Sequence, residues 1–205
     1  MKRPIIGVIV VVGLLMLASS LYTVNETEQV IITQFGKVVG EAHTAPGLYM
    51  KTPFIQDVIR FEKRWLEWSG DPTQIVTKDK KFLSVDTYTR WRVKDPVLFY
   101  QRVRNENAAQ SRLDDIVDGD TRNVVASNDL IEVVRTTDRK FAEIEETADM
   151  GTAEASRPIT TGRTKITQAI LEKSRPIVAE FGIELVDVQI KRVNYVQDVQ
   201  QKVFE

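Results

Sequence analysis

The sequence predicts an α+β fold, in which an apolar N-terminal helix precedes a domain of strands and helices. Three observations lead to this prediction. Residues 4–25 carry no charge and are mostly aliphatic, strand patterns group between residues 29 and 93, and helical patterns follow from residue 95 until a closing strand. Strands grouped early and helices grouped late are typical of an antiparallel sheet with helices packed on one face.

The first element is the charge-free run over residues 4–25, which follows Lys2 and Arg3. As a helix it would extend about 33 Å, which matches a hydrocarbon core of about 30 Å. We therefore predict a transmembrane anchor over residues 1–25, with Lys2 and Arg3 on the cytoplasmic side and the main domain on the far side. The predicted anchor residues are Ile5, Ile6, Val8, Ile9, Val10, Val11, Val12, Leu14, Leu15, Met16, Leu17, Leu21 and Tyr22.

A cleaved secretory signal is the alternative explanation of the same segment. The basic start, the apolar run over residues 5–17 and the small residues 18–20 fit a loose signal pattern. Leu21, Tyr22 and Val24 continue the apolar character past that cleavage point, which favours a retained anchor.

Composition limits what the remaining chain can be. Without Lys2 and Arg3, 26 basic residues stand against 29 acidic ones, and this balance argues against a nucleic-acid partner. The absence of cysteine excludes disulfides and thiolate metal sites. A hydrophobic fraction of 42% with 28% charged residues indicates a folded domain rather than a disordered tail.

The strand patterns are clearest at residues 82–93, where apolar or threonine side chains alternate with polar ones. This period of two predicts a strand with one buried face. The buried set is Leu83, Val85, Thr87, Thr89, Trp91 and Val93. Residues 74–77 precede it across a short polar turn and predict a hairpin. Residues 29–35, ending at Gly36, and residues 58–61 read as further strands.

Helical patterns begin at Asp95, which is placed as an N-cap before Pro96 and a short helix over residues 97–100. A longer helix is predicted over residues 108–129. Residues 145–156 are polar and rich in small residues, which indicates a flexible insert.

A second long helix is predicted to start at Thr161 or Gly162, with a kink at Pro176 and a C-terminal cap at Gly182. Its apolar face contains Ile166, Ile170, Ile177 and Phe181.

The closing strand covers residues 183–193, and the adjacent apolar residues Leu185 and Val186 break its alternation. This break indicates a β-bulge or burial on both faces. Residues 196–205 have valines at helical spacing and predict the start of a further helix.

Catalytic motifs are missing from the sequence. His43 is the single histidine, so neither a two-histidine metal site nor a His-Glu-x-x-His motif can form. We expect it to lie in an exposed loop. The spacing of Ser111 and Lys165 does not support a serine–lysine catalytic dyad. Trp65 and Trp68 form an aromatic patch that suits packing better than ligand binding. The sequence therefore predicts no enzyme, no cofactor and no metal.

Several segments together resemble the SPFH (band 7, prohibitin homology) domain family. The stretch PGLYMKTPF at residues 46–54 resembles the family signature PGLHFKIPF. Residues 34–38, residues 77–81 ahead of the strand that ends in RWRV, and residues 181–194 at the close of the domain are similar to other family segments. The match extends from the anchor to the C-terminus, and its specificity lies in the group of motifs.

The resemblance implies an SPFH domain over residues 26–195 at the periplasmic face of a bacterial inner membrane. It implies a ring-like hetero-oligomer with an HflK-like partner, which contacts membrane lipid and modulates an FtsH-type membrane protease without proteolytic activity of its own. The family continues into a long helix, whereas this sequence ends at Glu205, so we expect a fragment or a chain with a shortened oligomerising helix over residues 196–205.

Two other functions stay open at this point. A stomatin- or prohibitin-like organiser of other membrane proteins or lipid domains would have the same fold but different partners. A hydrolase with an unrecognised site is a different class, and the missing triad and metal residues count against it.

Overall fold

The computed structural model describes residues 2–136 and 161–195. Their strands are β1 Leu21–Val24, β2 Glu28–Gln34, β3 Lys37–Val38, β4 Gly47–Met50, β5 Gln56–Glu62, β6 Leu66–Ser69, β7 Thr73–Val76, β8 Phe82–Val93 and β9 Ile183–Tyr195. Their α-helices are α1 Lys2–Ser20, α2 Pro96–Arg102, α3 Glu106–Leu113, α4 Gly119–Ala126, α5 Leu130–Val134 and α6 Gly162–Ala179. This order confirms an α+β fold with antiparallel sheets.

Helix α1 is shorter than the predicted anchor. It ends at Ser20, and Leu21 and Tyr22 lie in β1, which pairs antiparallel with β4. The strand forms because alternate residues Tyr22 and Val24 become buried, which a helix continuing to residue 25 would prevent. Within the residues described, the structure contains no helix of the length and apolar character needed to cross a membrane.

Two small sheets form the part of the domain next to α1. One pairs β1 with β4, and the other has the order β3–β2–β5. Strand β2 is buried on both faces, with Val30 and Ile32 in a small core beside Tyr22 and Val24. Ile31 belongs to the main core instead. The strands predicted at residues 29–35 and 58–61 are confirmed as β2 and β5.

The main sheet is organised around β8. Strand β9 pairs along the whole length of β8, and β6 and β7 share its other edge. Every second residue of β8 is buried, as the alternation predicted, and the predicted hairpin with β7 is confirmed. Val186, where the alternation breaks in the sequence, and Lys191 are both skipped in the pairing of β9 with β8, so the register shifts at each of them. These two bulges bend β9 along β8.

The helices pack around the main core, but the helix predicted over residues 108–129 is divided. Helix α3 passes through a π-helical turn, Asp114–Asp118, into α4, and α5 is separate. Helix α2 begins as predicted, because the Asp95 carboxylate accepts hydrogen bonds from the backbone N–H groups of Val97 and Leu98.

Helix α6 has the predicted start, internal proline and terminal glycine, but its buried face differs. Ile166 and Ile170 are buried, whereas Ile177 is 42% exposed and Ser174 and Val178 are buried in its place. Residues four apart in an α-helix are offset by about 40° around its axis. The buried row 166, 170, 174 and 178 therefore shifts around the helix, and Ile177 lies outside it. The predicted insert at residues 145–156 and the predicted helix at residues 196–205 lie outside the described residues.

Candidate interaction surfaces

No candidate catalytic constellation is assembled within the described ranges. His43 is half-buried rather than exposed, and its ring centroid lies 4.4 Å from that of Tyr49 and 6.4 Å from that of Tyr22. The Ser111 hydroxyl donates to the backbone oxygen of Asn107 in its own helix. No group of three or more metal-binding side chains is found among the residues described.

The two tryptophans of the aromatic patch have different roles. Trp68 is buried, and its indole Nε1 donates a 2.7 Å hydrogen bond to Oδ1 of Asp114. Trp65 is 45% exposed and stacks under the Arg92 guanidinium, whose Cζ lies 4.3 Å from the ring centroid. The interpretation of this patch as packing holds for Trp68.

Helix α1 exposes the predicted anchor residues whose side chains the structure describes. These are Val11, Leu14, Leu15, Met16 and Leu17, which are 47–64% exposed. The other anchor residues before Leu14, together with Lys2 and Arg3, also lie in α1. Tyr22 is instead buried in the small core, where its ring lies 5.9 Å from that of Tyr49. Burial raises the pKa of the Tyr22 hydroxyl above its usual value.

Exposed apolar side chains continue from α1 onto the adjoining part of the domain. Strand pairing places Leu21 opposite Met50, and both point away from the small core that holds Tyr22. Leu48 follows on the same outer face, because it is two residues before Met50 in β4. We call the surface formed by Leu21, Phe35, Leu48, Met50, Phe54 and Ile55 the apolar end.

Phe35 and Phe54 are the most exposed members of the apolar end, at 83% and 87%. Both adopt positive φ angles, 49° and 67°, a conformation that costs an aromatic residue on the order of 1 kcal/mol or more. Neither side chain repays that cost by burial in this domain. Strained, exposed aromatic residues therefore indicate a contact outside the domain.

Hydrogen bonds hold these loops beside the end of α1. The backbone N–H of Lys51 donates to the Ser20 oxygen at 2.7 Å, and the N–H of Thr52 donates to Oε1 of Gln56 at 2.7 Å. Gln56 pairs with Gln34, the residue before Phe35. Sequence reasoning missed this surface, although bulky apolar residues beside Gly36 and Pro53 in predicted turns were a signal for it.

A second feature is the half-buried acidic group Asp118 on the π-helical turn. Asp118 lies against the β6–β7 loop, where a Cβ on Gly70 would come within 2.9 Å of its Oδ1. Burial, and then the carboxylates of Asp114 and Asp71, raise the pKa of Asp118 from 3.8 to about 6, against the opposing charge of Arg122. The folded protein therefore binds a proton at Asp118 more tightly than the unfolded chain does.

As pH rises from 4 to 7, ionisation of Asp118 should lower the folding stability of the parent protein. We predict that the Asp118→Asn variant does not show this loss. The raised pKa stabilises the fold fully below pH 3.8, and this contribution is lost as pH rises through about 6. Asparagine stays neutral, so the variant should gain on the order of 1 kcal/mol over the parent at pH 7, after allowance for solvent screening. Urea unfolding across pH 4–8 measures this difference, and the exposed Asp115→Asn on the same turn is the control. Identical pH profiles of stability for both variants would refute the assignment of the raised pKa to Asp118.

Comparison with known proteins identifies the family to which the chain belongs. The profile of the SPFH domain / Band 7 family matches residues 22–205. The chain belongs to the SPFH domain / Band 7 family. Membership of this family is what the resemblance of its motifs predicted, and within the family the chain is similar to proteins named HflC.

Three relatives show the extent of this similarity. Protein HflC of Treponema pallidum (strain Nichols) is 34% identical, covering 98% of this chain and 65% of the relative. Protein HflC of Borreliella burgdorferi is 31% identical, covering 92% and 59%. Modulator of FtsH protease HflC of Escherichia coli (strain K12) is 28% identical, covering 100% and 67%. The chain thus spans about two thirds of the length of these relatives.

Proposed function

We propose that this chain is a non-enzymatic regulator of an FtsH-type membrane protease and acts together with an HflK-like SPFH partner. The observation that carries the proposal is the 28% identity, over the whole of this chain, to a relative named as a modulator of FtsH protease.

The proposal includes attachment to a bacterial inner membrane through the N-terminal segment, with the domain on the extracytoplasmic side. Its support is the charge-free sequence of residues 4–25 after Lys2 and Arg3, and the apolar end beside α1. Phe35 and Phe54 would enter the headgroup region, where amphipathic and aromatic groups bind most favourably.

Single-cysteine labelling tests this attachment, because the native chain contains no cysteine. We expect an environment-sensitive fluorophore on Phe54→Cys to shift to the blue and to be quenched by spin-labelled lipid when the full chain is reconstituted into vesicles. The same label on Lys173→Cys, an exposed position on α6, is the control and should respond to neither. Equal quenching at both positions, or at neither, would contradict contact between the apolar end and lipid.

A degradation assay tests the regulatory role. An FtsH-type protease and an HflK-like partner from the same bacterium are reconstituted with and without this chain, and turnover of a membrane-protein substrate is measured. We expect the chain to change the turnover rate, and to have no hydrolytic activity when the protease is left out. An unchanged rate, with the chain shown to be folded, would favour an organiser of other membrane proteins.

A further inference from the structure

The hairpin between β7 and β8 carries a compact group of exposed basic and apolar side chains. Lys78, Lys80 and Lys81 are exposed in its turn. Val76 and Phe82 flank the turn as directly paired residues, and they are 44% and 53% exposed. We call these five residues the basic tip.

The backbone of the basic tip is held in one conformation. The N–H of Thr77 donates to the Lys81 oxygen at 2.9 Å, and the N–H of Lys80 donates to the Thr77 oxygen at 2.9 Å. The N–H of Lys78 donates to the Asn128 oxygen at 3.0 Å, which fastens the turn to the loop before α5. The backbone of the basic tip therefore loses little conformational entropy on binding.

The acidic residue of the turn, Asp79, is held by hydrogen bonds within the turn and to α5. Oδ1 of Asp79 accepts hydrogen bonds from the Thr77 hydroxyl and from the N–H of Leu130, the first residue of α5. Among the described residues, Lys78 and Lys80 form no ion pair. The basic tip therefore presents positive charge next to an exposed apolar pair.

The basic tip lies at the end of β8 opposite to the end that contacts β2. The backbone oxygen of Val93, the last residue of β8, accepts a 2.8 Å hydrogen bond from Nε2 of Gln29, near the start of β2. Strand β2 then runs on to Gln34 and the apolar end. Twelve residues of β8 span about 40 Å at about 3.4 Å per residue, and this length separates the basic tip from the start of β2.

We propose that the basic tip binds an acidic segment of a partner protein, with an apolar side chain of that segment seated on Val76 and Phe82. The lysines supply the charge complementarity and the apolar pair supplies the buried contact. The choice of a protein over a lipid surface depends on the membrane attachment proposed above, whereas the binding of an acidic segment does not.

Fluorescence polarisation with two labelled peptides tests the proposal on the full chain in neutral detergent. One peptide alternates paired glutamates with single leucines, and the other has serine in place of leucine. We expect the Lys78→Gln/Lys80→Gln variant to bind both peptides about fivefold more weakly than the parent. Phe82→Ser should weaken binding of the leucine peptide and leave the serine peptide unchanged.

The control is Arg102→Gln/Lys173→Gln, which removes two exposed basic residues outside the basic tip and should bind both peptides like the parent. Thermal unfolding of each variant verifies that it is folded. Equal affinity of the parent, the tip variants and the control would overturn the proposal. Vesicles of equal parts phosphatidylglycerol and phosphatidylcholine provide the other arm: lysine-dependent binding to vesicles without peptide binding would assign the tip to a lipid surface and refute a protein partner.

Discussion

Replacing Trp91 by alanine should destabilise the domain by about 3–5 kcal/mol, the range for large aromatic truncations in a core. Trp91 is 1% exposed, and its ring lies 6.4 Å from that of Phe99, which in turn contacts Phe61 at 5.3 Å between centroids. The substitution leaves a cavity where β8 meets α2. Equilibrium denaturation of the full chain in detergent, followed by far-UV circular dichroism, measures the loss.

Arg90→Ala is the matched control on the opposite face of the same strand. Its guanidinium forms two hydrogen bonds to the Asp187 carboxylate, at 2.8 and 3.1 Å, in an exposed position. Exposed ion pairs contribute about 0–1 kcal/mol, so this variant should lose less than about 1 kcal/mol. Similar losses for Trp91→Ala and Arg90→Ala would show that the two faces of β8 are assigned incorrectly.

Replacing Gly182 by alanine should have the second large effect, a loss of about 2–5 kcal/mol from backbone strain and overpacking together. Gly182 has a φ of 73°, and a Cβ there would lie 2.5 Å from the Asp95 oxygen and 2.8 Å from the Phe99 nitrogen. Both are backbone atoms at the start of α2, so neither can rotate away. The free energy of unfolding measures this loss.

Gly36→Ala separates the two causes. Gly36 has a φ of 78°, but a Cβ at this position would meet no atom within 4 Å. Strain alone should cost Gly36→Ala about 1–2 kcal/mol. If Gly182→Ala cost no more than Gly36→Ala, the close approach of the α6–β9 connection to α2 would be wrong.

The main sheet could be predicted from sequence because burial of one face imposes a period of two. The alternation in β8 gave its buried residues, and the neighbouring apolar residues Leu185 and Val186 marked a bulge that the register confirms. Asp95 and Gly182 marked the start of one helix and the end of another, because capping and positive φ restrict residue choice.

The features that sequence reasoning missed depend on tertiary contacts. Tyr22 lies in a strand because β4, about 27 residues later, offers a pairing partner that an isolated apolar run does not reveal. The π-helical turn accompanies the hydrogen bond from Trp68 to Asp114, two residues that are distant in sequence. Exposure of Phe35 and Phe54 could not be predicted because bulky apolar residues are usually buried.

The two proposals assign separate roles to the apolar end and the basic tip. The apolar end lies beside α1, where lipid contact is proposed, and the basic tip lies at the β7–β8 hairpin of the main sheet, where a protein segment could bind. The main sheet carries the main core. Under these proposals, the domain contacts lipid through one surface and a protein partner through the other.

Crosslinking in the native membrane tests the central claim most directly. The full chain is crosslinked in membranes of the bacterium that produces it, and the attached proteins are identified by mass spectrometry against a control from which the crosslinker is omitted. The account predicts that an FtsH-type protease and an HflK-like SPFH protein are attached to the parent chain. Reproducible crosslinks to other membrane proteins, with neither of these two present, would contradict it.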